Sequence, residues 1–211
     1  MAAPRHTRRA VLAWTLLTPA APALAAGPKV ITMLGDSITA GYGLPAAAAL
    51  PNQLHLALAR LGVDNVVRGA GVSGDTLAGG AGRVDFSVRK DTDLTVVALG
   101  GNDLLQGQDT KFSRAALDTI VKKLQARGIG VVIAGIGAPS EVGGAYARDF
   151  NAIFAEVAKA RGVLLYPDLI AGVGRTAALK QADGIHPNAR GVQIIAARLA
   201  PAVAKALAAK R

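Results

Sequence analysis

Residues 30–38 read VITMLGDSI, an apolar run that ends at Gly35 and is followed by two polar residues, Asp36 and Ser37. Continuous runs that are rich in β-branched residues and end at glycine are typical of strands buried on both faces of a parallel sheet. Four more runs of this kind follow along the chain, at 65–68, 94–99, 131–134 and 163–166. The sequence therefore predicts five strands in a sheet that is covered on both faces.

Stretches with helical periodicity separate the predicted strands. Apolar residues recur at spacings of three and four in 54–61, 117–124, 150–157 and 192–207. Alternation of strands and helices indicates a parallel sheet between two layers of helices. We therefore predict an α/β fold, a three-layer α/β/α sandwich with a flavodoxin-like, five-stranded parallel sheet in the order 2-1-3-4-5. Pro201 is expected to kink or split the last helix.

The composition excludes several kinds of site. The chain of 211 residues has no cysteine, which rules out disulfides, thiolate metal sites and a cysteine nucleophile. Aromatic residues make up 4% of the chain and the basic residues are scattered, so nucleic acid is not expected as a partner. Glycine clusters occur, but none forms the dinucleotide-binding pattern or a phosphate loop. We expect no metal and no cofactor.

The first 25 residues have the composition of an export signal peptide. A basic segment precedes an apolar stretch, and Ala23-Leu24-Ala25 matches the small-x-small pattern of a cleavage site. Residues 26–211 are then expected to form a single domain, with a formal charge of 10 − 3 = +7 after three arginines are removed. We predict a periplasmic or secreted protein, cleaved near Ala25, that can make peripheral contact with an anionic membrane surface. General secretory and twin-arginine export both stay open.

Four short segments, far apart in the chain, carry the residue types of one acyl-transfer site. They are GDSI at 35–38, GVSGDT at 71–76, GGND at 100–103 and DGIHP at 183–187. Acyl transfer by serine needs a base for the hydroxyl proton and a carboxylate that orients the base. Asp183 and His186 are three residues apart, so a single turn can bring the carboxylate to the imidazole. We expect Ser37 to be the nucleophile, His186 its base and Asp183 the orienting acid.

Three of these segments follow neighbouring strands of the predicted sheet. Ser37 follows strand 1, Gly74 follows strand 2 and Asn102 follows strand 3, and such sheets bind ligands outside the carboxyl ends of their strands. The amide groups of Ser37, Gly74 and Asn102 are therefore expected to form the oxyanion hole. His186 follows strand 5 at the far edge. The segment 168–182 can span up to about 50 Å when extended, which is long enough to bring His186 back.

Each of these residues also has an ordinary structural explanation. Ser37 could cap a helix, Gly74 could be a turn glycine with positive φ, and Asn102 could form an Asx turn. For Ser37 or Asn102 alone, the structural explanation would be preferred. The presence of all four segments in one order favours the catalytic explanation. His55 lies in a periodic helix and is expected to be structural.

The four segments and their order resemble the Ser, Gly, Asn and His blocks of the SGNH (GDSL) hydrolases. The resemblance covers about 30–207, and the segments 35–44, 73–76 and 183–188 are most similar to the bacterial exported thioesterase, lysophospholipase and arylesterase branch. The resemblance implies a serine esterase that acts on carboxylic esters or thioesters, such as aryl esters, lysophospholipids or acyl-CoA-like compounds. Small-molecule or lipid acyl esters are the implied partners, with no obligate protein partner.

The resemblance also points to a substrate loop at 137–149. By position this loop corresponds to the variable loop of the family, with Tyr146 and Phe150 as suppliers of apolar surface for the substrate. The loop departs from the family by carrying SEVGG at 140–144, so the substrate range cannot be transferred. Acyl chain length, leaving group and oligomeric state therefore stay open.

Two other functions are compatible with the same segments. A carbohydrate O-deacetylase would use the same catalytic residues, although the low aromatic content disfavours a sugar-binding groove. A non-catalytic envelope-binding protein would be expected to have lost a catalytic residue, and none is missing. Serine ester hydrolysis is the function that the sequence favours.

Overall fold

The structure is a computed structural model that describes residues 27–209, and a single parallel sheet forms its centre. The five strands are β1 Lys29–Gly35, β2 Asn65–Gly71, β3 Leu94–Ala98, β4 Gly130–Ala134 and β5 Leu164–Tyr166. Neighbours pair in the order β2-β1-β3-β4-β5, and every pair is parallel. The predicted fold class and strand order are thus confirmed. The predicted export signal, 1–25, lies outside the described residues.

Helices cover both faces of this sheet. They are α1 Ser37–Ala40, α2 Leu50–Arg60, α3 Leu77–Ser87, α4 Gly101–Leu105, α5 Thr110–Ala126, α6 Gly144–Arg161 and α7 Ala189–Ala209, with short 3-10 turns at Ala46–Ala48, Ser140–Val142 and Ala177–Leu179. α2 packs against α7, whereas α5 packs against both α3 and α6. These two groups are the outer layers of the predicted three-layer sandwich.

The two central strands show why the sheet forms. All five residues of β3 are buried, because helices cover both of its faces. β1 lies between β2 and β3 and is buried over five of its seven residues. Burial of one large apolar side chain stabilises the fold by about 1.5–3 kcal/mol relative to exposure. These strands are therefore a rigid support for whatever follows their carboxyl ends.

The carboxyl ends of the first three strands lie side by side. Gly35, at the end of β1, pairs with Gly71 of β2 and with Ala98 of β3. A Cβ atom at Gly35 would lie 2.0 Å from Oγ1 of Thr39, so only glycine allows α1 to turn back so closely on the strand. The segments that follow these three strands therefore start from adjacent points on one edge of the sheet.

The last helix, α7, runs from Ala189 to Ala209 and contains Pro201. It is not split at the proline. Pro201 and Ala197, whose carbonyl loses its helical partner, are both exposed, so water can bind that carbonyl. By length and composition α7 is the one helix within 27–209 that could cross a membrane. Its side chains Val192, Ile195 and Leu199 are buried in the core, which is the place of a core helix.

Candidate active site

Ser37 lies at the point where β1 ends and α1 begins. Asp36 caps this short helix, and its Oδ1 accepts the Ile38 N–H at 3.0 Å. Backbone N–H groups in the first turn of a helix have no acceptor within the helix, so the Ser37 N–H is available to a ligand. Asp36 is buried, and burial raises its pKa from 3.8 to about 6. The local structure thus holds Ser37 over the sheet edge through a capping aspartate.

The structure joins Ser37, His186 and Asp183 in one chain of hydrogen bonds. Nε2 of His186 lies 2.9 Å from Oγ of Ser37, and Nδ1 lies 2.6 Å from Oδ2 of Asp183. Oδ1 of Asp183 accepts the N–H groups of Ile185 and His186 at 2.9 and 3.0 Å. These hydrogen bonds lower the pKa of Asp183 to about 2, and the bond from the Ile185 N–H has the largest effect. This geometry allows an ionised Asp183 to accept the Nδ1–H of His186, a tautomer in which Nε2 can accept a proton from Ser37.

His186 reaches Ser37 on a return segment, which we define as 167–188 and which crosses from the end of β5 to the site. Gln181 holds this segment in place. Its side-chain N–H groups donate to the carbonyls of Tyr42 at 2.8 Å and Pro187 at 3.0 Å, and its backbone N–H donates to the His186 carbonyl at 2.8 Å. The sequence could show only that the return segment was long enough; the structure gives its path.

The expected oxyanion donors also converge on this point. Gly74 has a φ of +83°, which favours glycine, and a Cβ atom there would have no protein atom within 4 Å. The backbone conformation therefore requires glycine, while protein packing does not. Nδ2 of Asn102 donates one hydrogen to the Asp75 carbonyl at 2.9 Å and keeps a second hydrogen for a ligand. Both explanations offered for Gly74 are compatible with this geometry.

A buried carboxylate fixes the short helix α4, which carries Asn102. Oδ2 of Asp103 accepts the N–H of Leu77, the first residue of α3, at 2.9 Å. Its Oδ1 accepts the hydroxyl of Ser113 in α5 at 2.7 Å, and Asp103 is 2% exposed. Removing one partner of a buried charge-assisted bond is costly, so α4 is held to both α3 and α5.

These residues line one cleft of about 340 Å³. Its walls are largely apolar, and within 27–209 none of the lining residues is lysine or arginine. The lining residues are Asp36, Ser37, Ile38, Tyr42, Ser73, Gly74, Gly101, Asn102, Leu104, Leu105, Ile136, Ile170, Ile185 and His186. An apolar cleft with a few convergent polar groups is the usual form of a small-molecule site.

Tyr42 was not predicted from the sequence. Its ring lies 4.6 Å from the His186 ring, centroid to centroid, at an interplanar angle of 33°. Its backbone N–H donates to the Ser37 carbonyl at 3.0 Å, so Tyr42 contacts both members of the pair. A tyrosine just beyond a four-residue helix carries no periodic signal that would have identified it.

Arg83 was also missed. It lies on α3 and forms an ion pair with Asp75, the residue after Gly74. Its spacing of eight residues from Asp75 carries no helical signal, because Asp75 lies before α3, which begins at Leu77. The side chain does not line the cleft.

The structure does not bring Tyr146 and Phe150 to the cleft. α6 already begins at Gly144, so both residues lie on a helix and not on a loop. The Tyr146 hydroxyl donates to the Gln108 carbonyl at 3.0 Å, while Phe150 is fully buried against Phe154. The apolar surface of the cleft comes instead from leucines and isoleucines, chiefly Leu104, Leu105, Ile136 and Ile170.

The remaining sequence candidates have structural places. Nδ1 of His55 lies 3.0 Å from Oδ1 of Asn65, which ties α2 to β2, in agreement with a structural role. Residues 27–209 contain no group of three or more histidine, aspartate, glutamate or cysteine side chains that could hold a metal ion.

Comparison with known proteins gives the same family from sequence and from structure. Residues 33–194 match the GDSL-like Lipase/Acylhydrolase family. Esterase TesA of Pseudomonas aeruginosa is 36% identical over 177 residues, which cover 83% of this chain and 86% of TesA. Thioesterase 1/protease 1/lysophospholipase L1 of Escherichia coli K12 is 33% identical over 165 residues, 78% of each chain.

A solved structure agrees with these relatives. The esterase AlinE4, described as a member of the SGNH-hydrolase family, superposes with a TM-score of 0.72 at 38% identity, covering 86% of this chain and 98% of that one. The family match spans most of the described chain, including Ser37, Gly74, Asn102 and His186. The chain therefore belongs to the GDSL-like lipase/acylhydrolase family, the SGNH esterases.

Proposed function

We propose that the chain hydrolyses carboxylic esters or thioesters by two-step acyl transfer at Ser37. His186 takes the Ser37 proton as Oγ attacks the acyl carbonyl, and Asp183 stabilises the imidazolium that forms. The carbonyl oxygen becomes an anion, which accepts hydrogen bonds from the N–H groups of Ser37 and Gly74 and from Asn102. The observation that carries the proposal is the hydrogen-bonded chain from Ser37 through His186 to Asp183.

The remaining steps, departure of the leaving group and hydrolysis of the acyl-enzyme, use the same groups. His186 gives its proton to the leaving alcohol or thiol, which departs and leaves an acyl-Ser37 ester. A water molecule then loses a proton to His186 and attacks that ester, and His186 returns the proton to Ser37 as the acid is released.

A fluorophosphonate probe tests the proposal directly. Such a probe phosphonylates a serine only when a neighbouring base and an oxyanion hole activate it, so wild-type protein should be labelled at Ser37. Ser87 and Ser113 serve as internal controls, since neither contacts a histidine, and they should stay unlabelled. Labelling at any serine other than Ser37, or none at all in protein that is folded, would contradict the proposal.

The cleft supports uncharged acyl esters of short to medium chain length as substrates. Its walls are leucine and isoleucine side chains, against which each buried CH₂ could add up to about 0.8 kcal/mol, close to fourfold in kcat/KM, until the pocket ends. The lining offers no lysine or arginine to a phosphate group. We therefore propose that aryl and alkyl esters are better substrates than phosphate-bearing ones such as lysophospholipids.

Matched substrates separate the charge of the leaving group from its chemistry. p-Nitrophenyl esters of increasing length give the acyl profile. An N-acetylcysteamine thioester and the acyl-CoA of the same chain length then differ in the phosphates but share the thioester bond. We expect the uncharged thioester to have the higher kcat/KM at low salt. A higher value for acyl-CoA would mean that basic residues outside the cleft bind the phosphates.

We also propose that the chain is exported and that 26–211 is the mature domain. The arginines before the apolar stretch and the small residues at 23–25 support this proposal. Amino-terminal sequencing of protein taken from the periplasm or the medium is expected to start at Ala26. A sequence that starts at the original methionine in exported protein would contradict the cleavage.

Peripheral contact with anionic membranes is a further proposal from charge. The formal charge of +7 on the mature chain supports attraction to anionic lipid surfaces. Sedimentation with phosphatidylglycerol vesicles should exceed that with phosphatidylcholine vesicles and should be lost at high salt. Equal sedimentation with both lipids would exclude charge as the cause.

A further inference from the structure

One guanidinium connects the segments that carry two of the three proposed oxyanion donors, Ser37 and Gly74. Nε of Arg83 donates to Oδ2 of Asp75 at 2.7 Å, and its two terminal nitrogens donate to the carbonyls of Ala70 at 2.9 Å and Gly35 at 2.8 Å. Ala70 and Gly35 are at the ends of β2 and β1. The side chain therefore spans two neighbouring strand ends and the loop that follows β2.

Each of these contacts is close in sequence to an oxyanion donor. Gly35 precedes Ser37 by two residues, and Asp75 directly follows Gly74. The carbonyl of Asp75 also accepts Nδ2 of Asn102 at 2.9 Å. A shift of the Asp75 segment would therefore move the Gly74 N–H and the partner of the Asn102 amide together.

Burial makes this contact set strong. The Arg83 side chain is 19% exposed and that of Asp75 is 10% exposed, so water competes little with the ion pair. Guanidinium is planar and its donors have a fixed geometry, whereas a lysine ammonium is a single point on a flexible stem. Arginine can therefore fix distances between several acceptors at once, which lysine cannot do.

We propose that Arg83 is a positioning residue for the reaction, which sets the spacing between the Ser37 N–H, the Gly74 N–H and the Asn102 amide. The inference rests on the proposed function. Arg83 does not touch the substrate, since it does not line the cleft. It acts through Gly35 and Asp75 on groups that bind charge only in the transition state.

This role has a kinetic signature. Oxyanion donors stabilise the tetrahedral state and not the bound substrate, so a poor donor geometry lowers kcat and leaves KM nearly unchanged. A misplacement of about 1 Å can cost about 100-fold in rate. A merely structural arginine would instead lower the melting temperature without a selective effect on kcat.

The test compares Arg83 variants with a matched ion pair elsewhere. Arg83→Met removes every hydrogen bond, and Arg83→Lys keeps the charge beside Asp75 but cannot bridge both carbonyls. Arg161→Met is the control: Arg161 forms a two-point ion pair with Asp118 that links α6 to α5, and it lies just before β5, at the end of the sheet away from the site. Wild type and all variants are assayed with one p-nitrophenyl ester at one temperature, chosen from their melting curves so that every protein is folded.

For Arg83→Met we expect kcat to fall about 10- to 100-fold with KM within about twofold, and for Arg83→Lys an intermediate loss. Phenylboronic acid, whose tetrahedral adduct on Ser37 places a negative oxygen among the donors, should lose affinity in parallel with kcat. Arg161→Met should lose thermal stability but keep both kcat and boronate affinity. Asp75→Asn, which keeps the two carbonyl contacts of Arg83, should lose less than Arg83→Met.

The inference fails if folded Arg83→Met or Arg83→Lys keeps the kcat and boronate affinity of wild type, or if Arg161→Met loses them equally. Where Arg83→Met does not fold, Arg83→Lys and Asp75→Asn give the same decision. Failure of the proposed function is distinguishable, because wild-type Ser37 would then not react with the fluorophosphonate probe. If wild-type Ser37 reacts with the probe but the Arg83 variants keep the kcat and boronate affinity of wild type, only the positioning role is overturned.

Discussion

The two halves of the site are built in different ways. Ser37, Gly74 and Asn102 each follow a strand of the sheet, and the register of those strands sets their spacing. His186 and Asp183 instead lie on the return segment, with side chains that are 18% and 34% exposed and held by local hydrogen bonds. The sheet therefore fixes the positions of the proposed nucleophile and oxyanion donors, while a few polar contacts hold the proposed base in place.

The largest expected effect comes from a change in the strand-end half of the site, which we define as the residues that follow β1, β2 and β3, including Ser37. Ser37→Ala should lower kcat by about 10⁴-fold or more while the fold stays intact, because no other group can carry the acyl intermediate. Steady-state kinetics and circular dichroism measure both outcomes. The double variant with His186→Ala should be no worse than the single one, since the halves act as a unit. Retained turnover in folded Ser37→Ala would remove Ser37 from the mechanism.

The next largest effect separates binding from catalysis within the same half. Asn102→Ala is expected to cost about 10²–10³ in kcat with little change in KM, because the amide acts on the oxyanion. Because Asn102 also donates to the Asp75 carbonyl, the melting temperature is measured alongside. A rise in KM at constant kcat would instead make Asn102 a substrate-binding residue.

The two halves carry carboxylates with opposite pKa shifts, and Asp36→Asn tests the buried one. Burial raises the pKa of Asp36 from 3.8 to about 6. Between these two pH values the unfolded chain loses a proton that the folded chain keeps. Stability therefore falls as pH rises through the window, by on the order of 3 kcal/mol. Asparagine retains the oxygen that accepts the Ile38 N–H and should remove this loss.

Asp36→Asn is thus expected to stabilise the protein at pH 8 and not at pH 4, as measured by urea unfolding. The pH dependence of stability that comes from Asp183 has the opposite sign. Its pKa is lowered to about 2, so its contribution is present above its ordinary value of 3.8 and is lost as pH falls toward 2. An equal gain from Asp36→Asn at both pH values would show that the ionised carboxylate is not the source of the cost.

A smaller effect is expected in the return segment. Gln181→Ala removes two side-chain hydrogen bonds, each worth about 0.5–1.5 kcal/mol, and should lower kcat by up to about tenfold as His186 spends less time on Ser37. Gln125→Ala is the matched control. The Gln125 side chain also donates to a carbonyl, that of Arg161 at 2.8 Å, but at the end of the sheet away from the site. Equal kinetics for the two variants would mean that Gln181 does not hold the segment.

The smallest expected effect concerns Tyr146. Because it contacts Gln108 and does not line the cleft, Tyr146→Ala should leave the dependence of kcat/KM on acyl chain length unchanged. Leu105→Ala, which alters the cleft wall, should shift that dependence. A profile for Tyr146→Ala that differs from wild type would restore Tyr146 to the substrate site.

The strand-end half could be predicted from the sequence because its signals are local. A β-branched run that ends at Gly35 predicts both a buried strand and a turn, and parallel strands put the following residues on one edge. The path of the return segment could not be predicted. It depends on a contact between the side chain of Gln181 and the carbonyl of Tyr42, 139 residues apart, which leaves no periodic pattern.

The place of Phe150 shows how two sequence signals can compete. Its spacing to Ile153, Phe154 and Val157 indicates the buried face of a helix, whereas the resemblance to the family's variable loop implies a place at the substrate. The structure agrees with the helical periodicity: α6 begins at Gly144, and Phe150 is buried in the core.

The hydrogen bonds of Gln181 have a consequence for how the enzyme responds to heat. The return segment contributes no strand to the sheet, so it can open locally at a free energy far below that of global unfolding. Opening would separate His186 from Ser37 while β1 and β3 stay buried. Amide hydrogens of 181–188 should therefore exchange with solvent well before those of β3. Inactivation on brief heating should accordingly be reversible below the temperature at which the sheet melts.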